Sequence, residues 1–177
     1  MRQFELKSWR TNKVLVNIKI KDEEWELRFI LALRKGIREK ANLTEAKLIG
    51  ADLTEADLTR ANLTDANLTE ADLTEAILPR ITPILDLDCK ILAALENGGS
   101  LDMGTWHGCE TTHCRAGWAI LLAGEEGKML EEKYGPLIAG SFIYAVSYPD
   151  HPIPDFFTTN EKALADIQKR AKLGERS

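Results

Sequence analysis

Residues 41–80 read ANLTE AKLIG ADLTE ADLTR ANLTD ANLTE ADLTE AILPR, eight consecutive units of five. Ala opens every unit and Leu stands third in every unit, with Asp or Asn second in six of the eight. A helix repeats about every 3.6 residues and a flat strand about every 2, so neither keeps this pattern on one face. A chain that turns a corner after each unit does keep it, as a square solenoid with four units per turn. Ala41, Ala46 and their equivalents are small enough to point at the crowded axis. Leu43, Leu48 and their equivalents fill the interior, and the other three positions face water. Residue n then lies above the residue twenty further on. Asp52 stacks over Asp72, Glu55 over Glu75 and Arg60 over Arg80.

This pattern resembles the pentapeptide-repeat family, whose fold is a right-handed quadrilateral β-helix. The resemblance covers residues 41–80, and Ile77 and Pro79 in the last unit mark the end of the solenoid. Some members of the family imitate DNA and bind topoisomerases. Two turns at about 4.8 Å each make a rod of only about 10 Å. A duplex carries a negative charge about every 1.7 Å, so a mimic needs a longer rod. One chain is too short for that role, and a homodimer would lengthen it.

Charge separates this segment from the rest. Residues 41–80 hold eight acids against three bases, a segment charge of −5 that equals the formal charge of all 177 residues. A solvated, soluble surface explains the excess. The sharper reading is an acidic side, Asp52, Glu55, Asp72 and Glu75, that contacts a protein. The chain as a whole lacks the basic balance of a nucleic-acid binder. No apolar run approaches the roughly 18 residues of a membrane span, and MRQFELKSWR has no signal-peptide core. These features predict a cytoplasmic protein with reduced cysteines.

The flanks predict caps for the short solenoid, because stacked repeats must cover both ends. Phe4 and Leu6 alternate with polar residues, Thr11-Asn12-Lys13 turns, and Val14, Val16, Ile18 and Ile20 alternate again, which predicts a β-hairpin. Trp25, Phe29, Leu33 and Ile37 share a helical face, so a helix is expected near 23–39. Beyond Pro79 the pattern turns helical. Residues 86–97 predict a helix with an Asp cap, Thr111 or Thr112 is expected to cap a helix through CRAGWAILLAG, and EEGKMLEEKYG predicts a short helix. PLIAGSFIYAVSY predicts the buried centre, and Thr158-x-x-Glu161 reads as a capping box for a helix over about 160–172.

Within this region, WHGCETTHCRAGW (106–118) holds two of the three cysteines and two of the three histidines. Four readings stay open. His107, Cys109, His113 and Cys114 are zinc ligands by type, although their spacing matches no common zinc module. A Cys109–Cys114 disulfide would close a small loop, which a reducing compartment disfavours. Cys114 in a helix's first turn would be a thiol nucleophile, with His107, His113 or His151 as base. The fourth reading is packing, with Trp106 and Trp118 clamping the segment. The stretch GTWHGCETTHCRAGW, the later DFFTTNEKALADI and the opening FELKSWRTNKVL are similar to the flanks of uncharacterised bacterial and phage pentapeptide-repeat proteins. That resemblance implies a phage or prophage setting and supplies no catalytic residues.

The expected fold is mixed α and β in three parts. These are an N-terminal hairpin and capping helix over 1–40, a two-turn β-solenoid over 41–80, and an α-helical domain over 81–177. The expected function is non-enzymatic protein binding through the solenoid surface, without a cofactor, with homodimer formation favoured by an open solenoid side. Two other readings remain. A cleft between solenoid and helical domain would capture a small anion or nucleotide through Arg60, Arg80, Arg115 and His113. A zinc- or thiol-dependent enzyme would centre on Cys114.

Overall fold

The repeat determines the first part of the structure. The computed structural model describes residues 2–8, 10–21, 32–33, 37, 39, 42–59, 61–109 and 111–174. Parallel bridges join Asn42 to Asn62, Lys47 to Asn67, Asp52 to Asp72 and Asp57 to Ile77, each at an offset of twenty residues. Backbone bonds run the same way: Leu43 N–H donates to Asn62 C=O at 3.0 Å, and Asn67 N–H donates to Ala46 C=O at 3.0 Å. Leu43, Leu48, Leu58, Leu63 and Leu68 are fully buried, with Ala46, Ala66 and Ala71 beside them. The third and first positions therefore form an apolar interior, and the period-five pattern is its cause.

Two features of each unit escape that pattern. The second residue is an Asx turn: Oδ1 of Asn42, Asp52, Asp57, Asn62, Asn67 and Asp72 accepts the N–H of the threonine two residues on. Most of these threonines also donate their hydroxyl to the same oxygen, as Thr54 does to Asp52 at 2.6 Å. The fifth residue is left-handed. Glu45, Glu55, Asp65, Glu70 and Glu75 have φ between 54° and 59°, and Gly50 has φ 62° at the equivalent place. A side chain at such φ costs roughly 1–2 kcal/mol, yet the corner requires it and stacking sustains it.

The chain divides into two compact units, residues 1–80 with 149–153, and residues 81–148 with 154–177. In the first unit, β1 (Arg2–Lys7) pairs antiparallel with β2 (Val14–Ile20), setting Phe4 opposite Ile18 and Leu6 opposite Val16. Leu6, Val16 and Ile18 are buried, as the alternation predicts, whereas Val14 is exposed. The turn is wider than the three residues expected. Ser8 Oγ accepts from Arg10 and Thr11 N–H, and Asn12 is left-handed. The hairpin joins the first repeats through Ser8, which bridges Ala46, and through Lys47 N–H, which donates to Lys7 C=O at 3.1 Å. Pro149–Ile153 is the other addition. Glu70 N–H donates to Ile153 C=O at 2.8 Å and Ile153 N–H to Ala71 C=O at 3.1 Å. Most of the helix expected near 23–39 lies outside the described residues; Ala32, Leu33 and Ile37 are helical, the first two buried.

The second unit holds α1 (Leu87–Glu96), β3 (Ser100–Leu101), β4 (His107–Cys109), β5 (Thr112–His113), α2 (Arg115–Leu122), α3 (Gly124–Tyr134), α4 (Pro136–Ser147) and α5 (Asn160–Gly174). Helix α4 is buried from Leu137 through Ala145, as its apolar composition predicts. It packs on α2 and α3, while α5 packs on α1. Gly140 permits the α2–α4 approach, because a Cβ there would lie 2.6 Å from Ala116 Cβ. Three expected caps need correction. Asp86 precedes α1 in a left-handed conformation and its side chain caps nothing. Thr112 belongs to β5, so the cap of α2 is Cys114, whose Sγ accepts from Gly117 N–H. The hydroxyl at the start of α5 is that of Thr159, accepting from Lys162 N–H at 3.4 Å, one residue later than the Thr158 box.

Candidate functional site

The four acidic candidates occupy two structurally distinct positions in their units. Asp52 and Asp72 are exposed second-position residues joined by a parallel bridge, and each spends one carboxylate oxygen on its Asx turn. Glu55 and Glu75 are exposed fifth-position residues, both left-handed, with Glu55 N–H donating to Thr74 C=O at 3.1 Å. Stacking at one-turn spacing sets the carboxylates in rows, about 4.8 Å apart per turn. The backbone forces this proximity, since a left-handed corner and an Asx turn hold these residues at fixed heights. Like charges at that spacing invite a cationic partner.

At the hairpin edge of the first unit a cation meets two acids of the repeat. Arg10 Nη1 lies 3.7 Å from Glu45 and 3.8 Å from Asp65, one turn apart. Ser8 Oγ donates to Glu45 Oε2 at 2.9 Å. The acids of that corner are thus partnered internally.

The cysteine–histidine run is a hairpin followed by a helix start. β3 runs parallel to β5, and β4 antiparallel to β5, setting His107 opposite His113 and Cys109 opposite Thr112. Alternation is too short here for two- and three-residue strands to be seen in sequence. Cys114 is a free, buried thiol. Burial pushes that thiol up, outweighing hydrogen bonds from the Gly117 and Ala116 amides. This is opposite to the activation expected of a thiol at a helix start. His113 is buried and sits edge-on to Trp118 at 4.8 Å between centroids, and Trp118 Nε1 donates to Ser100 C=O at 3.1 Å. Among the described residues no group of three or more His, Cys, Asp and Glu gathers as a metal site.

The anion-capture set falls across both units. Arg60 lies outside the described residues, Arg80 is exposed in the first unit, and His113 and Arg115 are buried in the second. Arg115 is the centre of a polar cluster that sequence reasoning missed. Its Nε donates to Tyr144 Oη at 2.8 Å, Nη1 to Asp166 at 2.6 Å and Nη2 to Asp88 at 3.0 Å. Tyr144 Oη donates to Asp88 Oδ1 at 2.7 Å, and Arg170 Nε to Asp166 at 3.1 Å. Desolvation raises the Asp88 carboxyl against the opposing pull of Arg115 and Tyr144. Desolvation also pushes Asp166 up, but Arg115 and then Arg170 hold it below the usual carboxylate range. The cluster joins α1, α2, α4 and α5 through one guanidinium. The net stability of such a network is small, because burying its charges costs much of what their pairing returns. Acid, aromatic hydroxyl and arginine spread from position 88 to position 170 leave no local signal.

The family comparison bears on the first unit alone. A model of pentapeptide repeats matches residues 41–78 with eight copies. Residues 41–78 are a pentapeptide-repeat segment. The match ends two residues before the expected end at Arg80, at the unit already marked by Ile77 and Pro79. No curated protein and no solved structure matches the chain. Among the described residues no helix is long and apolar enough to cross a membrane.

Proposed function

We propose that the pentapeptide-repeat segment forms two turns of a right-handed quadrilateral β-helix that serves as a protein-interaction surface. Its acidic side, Asp52, Glu55, Asp72 and Glu75, contacts a basic patch on a protein partner, and no chemical step is involved. The observation that carries this reading is the twenty-residue bridge ladder. It brings four acids scattered in sequence into two rows one turn apart. Pentapeptide repeats are typical of interaction proteins, and the resemblance of the flanks to phage products points to a host protein as the partner. The role is that of a cytoplasmic binding protein.

The test uses the Asx turns. Asp52→Asn and Asp72→Asn keep Oδ1 for the threonine amide, while Glu55→Gln and Glu75→Gln keep the side-chain shape. The fourfold variant removes four charges and is expected to melt like the parent. Partners captured by the parent from a host lysate at low salt should be lost by this variant and released from the parent by salt. Capture that survives all four substitutions rejects the acidic side as the contact.

A further inference from the structure

One dipeptide of the second unit carries chemistry that neither the repeat nor the arginine cluster uses. Asn97 and Gly98 end α1, and both are exposed. They are the chain's one Asn-Gly pair; each of the other six asparagines precedes a residue with a side chain. Gly98 has φ 97°, and a Cβ built there would meet nothing within 4 Å. Asn97 Nδ2 donates to Ala93 C=O at 2.8 Å, and Gly98 N–H to Leu95 C=O at 3.3 Å. Both bonds lie in the last turn of a helix, the part that opens most readily. The next residue is held closely. Gly99 N–H donates to Ala94 C=O at 3.0 Å, and a Cβ on Gly99 would lie 2.7 Å from the Trp118 ring. Ser100 then begins β3, and its C=O accepts from Trp118 Nε1 at 3.1 Å. An exposed, easily opened pair thus adjoins a joint with no room to spare.

We infer that Asn97 is a deamidation site that closes on the Gly98 nitrogen and converts to isoaspartate, and that the conversion loosens the joint between α1 and β3. When the last turn opens, the Gly98 amide gives up its proton and its nitrogen attacks Asn97 Cγ. No Cβ on Gly98 screens that nitrogen. The N–Cγ bond forms, the Cγ–Nδ2 bond breaks, and Nδ2 leaves as ammonia with the proton that Gly98 lost. Water then opens the succinimide ring. Addition at the side-chain carbonyl leaves aspartate, and addition at the main-chain carbonyl leaves isoaspartate, whose chain runs on through Cγ. No oxidant or reductant takes part. Either product replaces the donor to Ala93 C=O with a carboxylate at a helix C-terminus, where the dipole opposes it. Isoaspartate also inserts a methylene into the main chain just ahead of Gly99. That insertion moves Gly99 off the Trp118 ring and Ser100 C=O away from the indole N–H. The remaining asparagines lack the glycine, and Oδ1 of Asn42, Asn62 and Asn67 is held in an Asx turn.

The experiment incubates the full chain at mildly acid and mildly alkaline pH, beside the same chain unfolded in urea. Peptide mapping by mass spectrometry follows each asparagine, and NMR follows the Trp118 indole N–H, assigned by its contact with Gly99. Asn97 should convert first of the seven asparagines, faster at alkaline pH because the Gly98 nitrogen attacks deprotonated. The indole signal should shift as isoaspartate accumulates. Asn97→Gln keeps a side-chain donor and should show neither change. Asn97→Asp loses the donor without lengthening the main chain, so its indole signal should stay near the parent's. Earlier conversion of another asparagine overturns the site. So does an intact Asn97 in the folded chain over the time in which the unfolded chain converts. Conversion that leaves the indole signal in place overturns the effect on the joint.

Discussion

At the scale of single residues, the repeat separates side chains that fill its interior from those that only decorate it. Leu63 is fully buried and third in its unit, whereas the Thr64 hydroxyl makes an exposed bond to Asn62 at 3.0 Å. Leu63→Ala should cost about 2–5 kcal/mol, because the lost methyls leave a cavity between stacked turns. Thr64→Ala should cost well under 1 kcal/mol, as the amide bond to Asn62 stays and the lost hydroxyl bond faces water. Urea unfolding of the two variants checks this, and equal losses would reject the register. The inward positions were legible because Ala and Leu recur without exception. The Asx turns were present in the same letters, yet Asp and Asn at the second position read as charge and polarity. The left-handed fifth residue was hidden more deeply. Glu resists that conformation, and only Gly50 hinted at it.

At the scale of elements, helices were legible and their joints were not. The apolar run of α4 announced its burial, but the cap of α5 shifted by one residue and that of α2 by two or three, to Cys114. Cys114 caps α2 with sulfur, which no hydroxyl rule foresees. Arg115, one residue on, was expected to be a donor to an anion in a cleft and is instead almost wholly buried. Its two carboxylate partners respond oppositely to pH. Asp166 holds its proton less readily in the folded chain than in the unfolded one. It therefore adds stability above the ordinary carboxylate pKa, near 4, and that stability is lost as pH falls through its lowered pKa. Asp88 is raised, so its contribution is present below about 4 and lost as pH rises through the raised pKa. Asp166→Asn should remove the acid-labile component. Its urea midpoint should fall less than the parent's between pH 5 and pH 2, roughly the window set by these carboxylates. Parallel pH curves for parent and variant would show that Asp166 does not stabilise the cluster as an anion.

At the scale of the whole chain, the first unit is completed by residues that arrive late. Residues 149–153 belong to it although 68 residues of the second unit, Ile81–Tyr148, intervene. No local pattern discloses this, since a proline-rich stretch reads as a loop and long-range pairing leaves no period. The strap contributes one buried side chain, Ile153, and two backbone bonds to Glu70 and Ala71. Thr74 Oγ1 also donates to Pro149 C=O at 3.3 Å. With Pro149 and Pro152 lacking N–H groups, the strap has few donors to pass the ladder onward, which suits a terminal cap. A cap that arrives only after the second unit's helices have been made defers closure of the first. The Glu70 amide should therefore exchange slowly in the full chain and fast in a fragment of residues 1–80, while the Leu48 amide, bonded to Asn67 C=O within the repeats, stays protected in both. Ile153→Ala should reproduce the fragment's fast exchange at Glu70 within the full chain. Slow exchange at Glu70 in the fragment would mean that the repeats close without the strap, and that residues 149–153 only rest on a finished repeat segment.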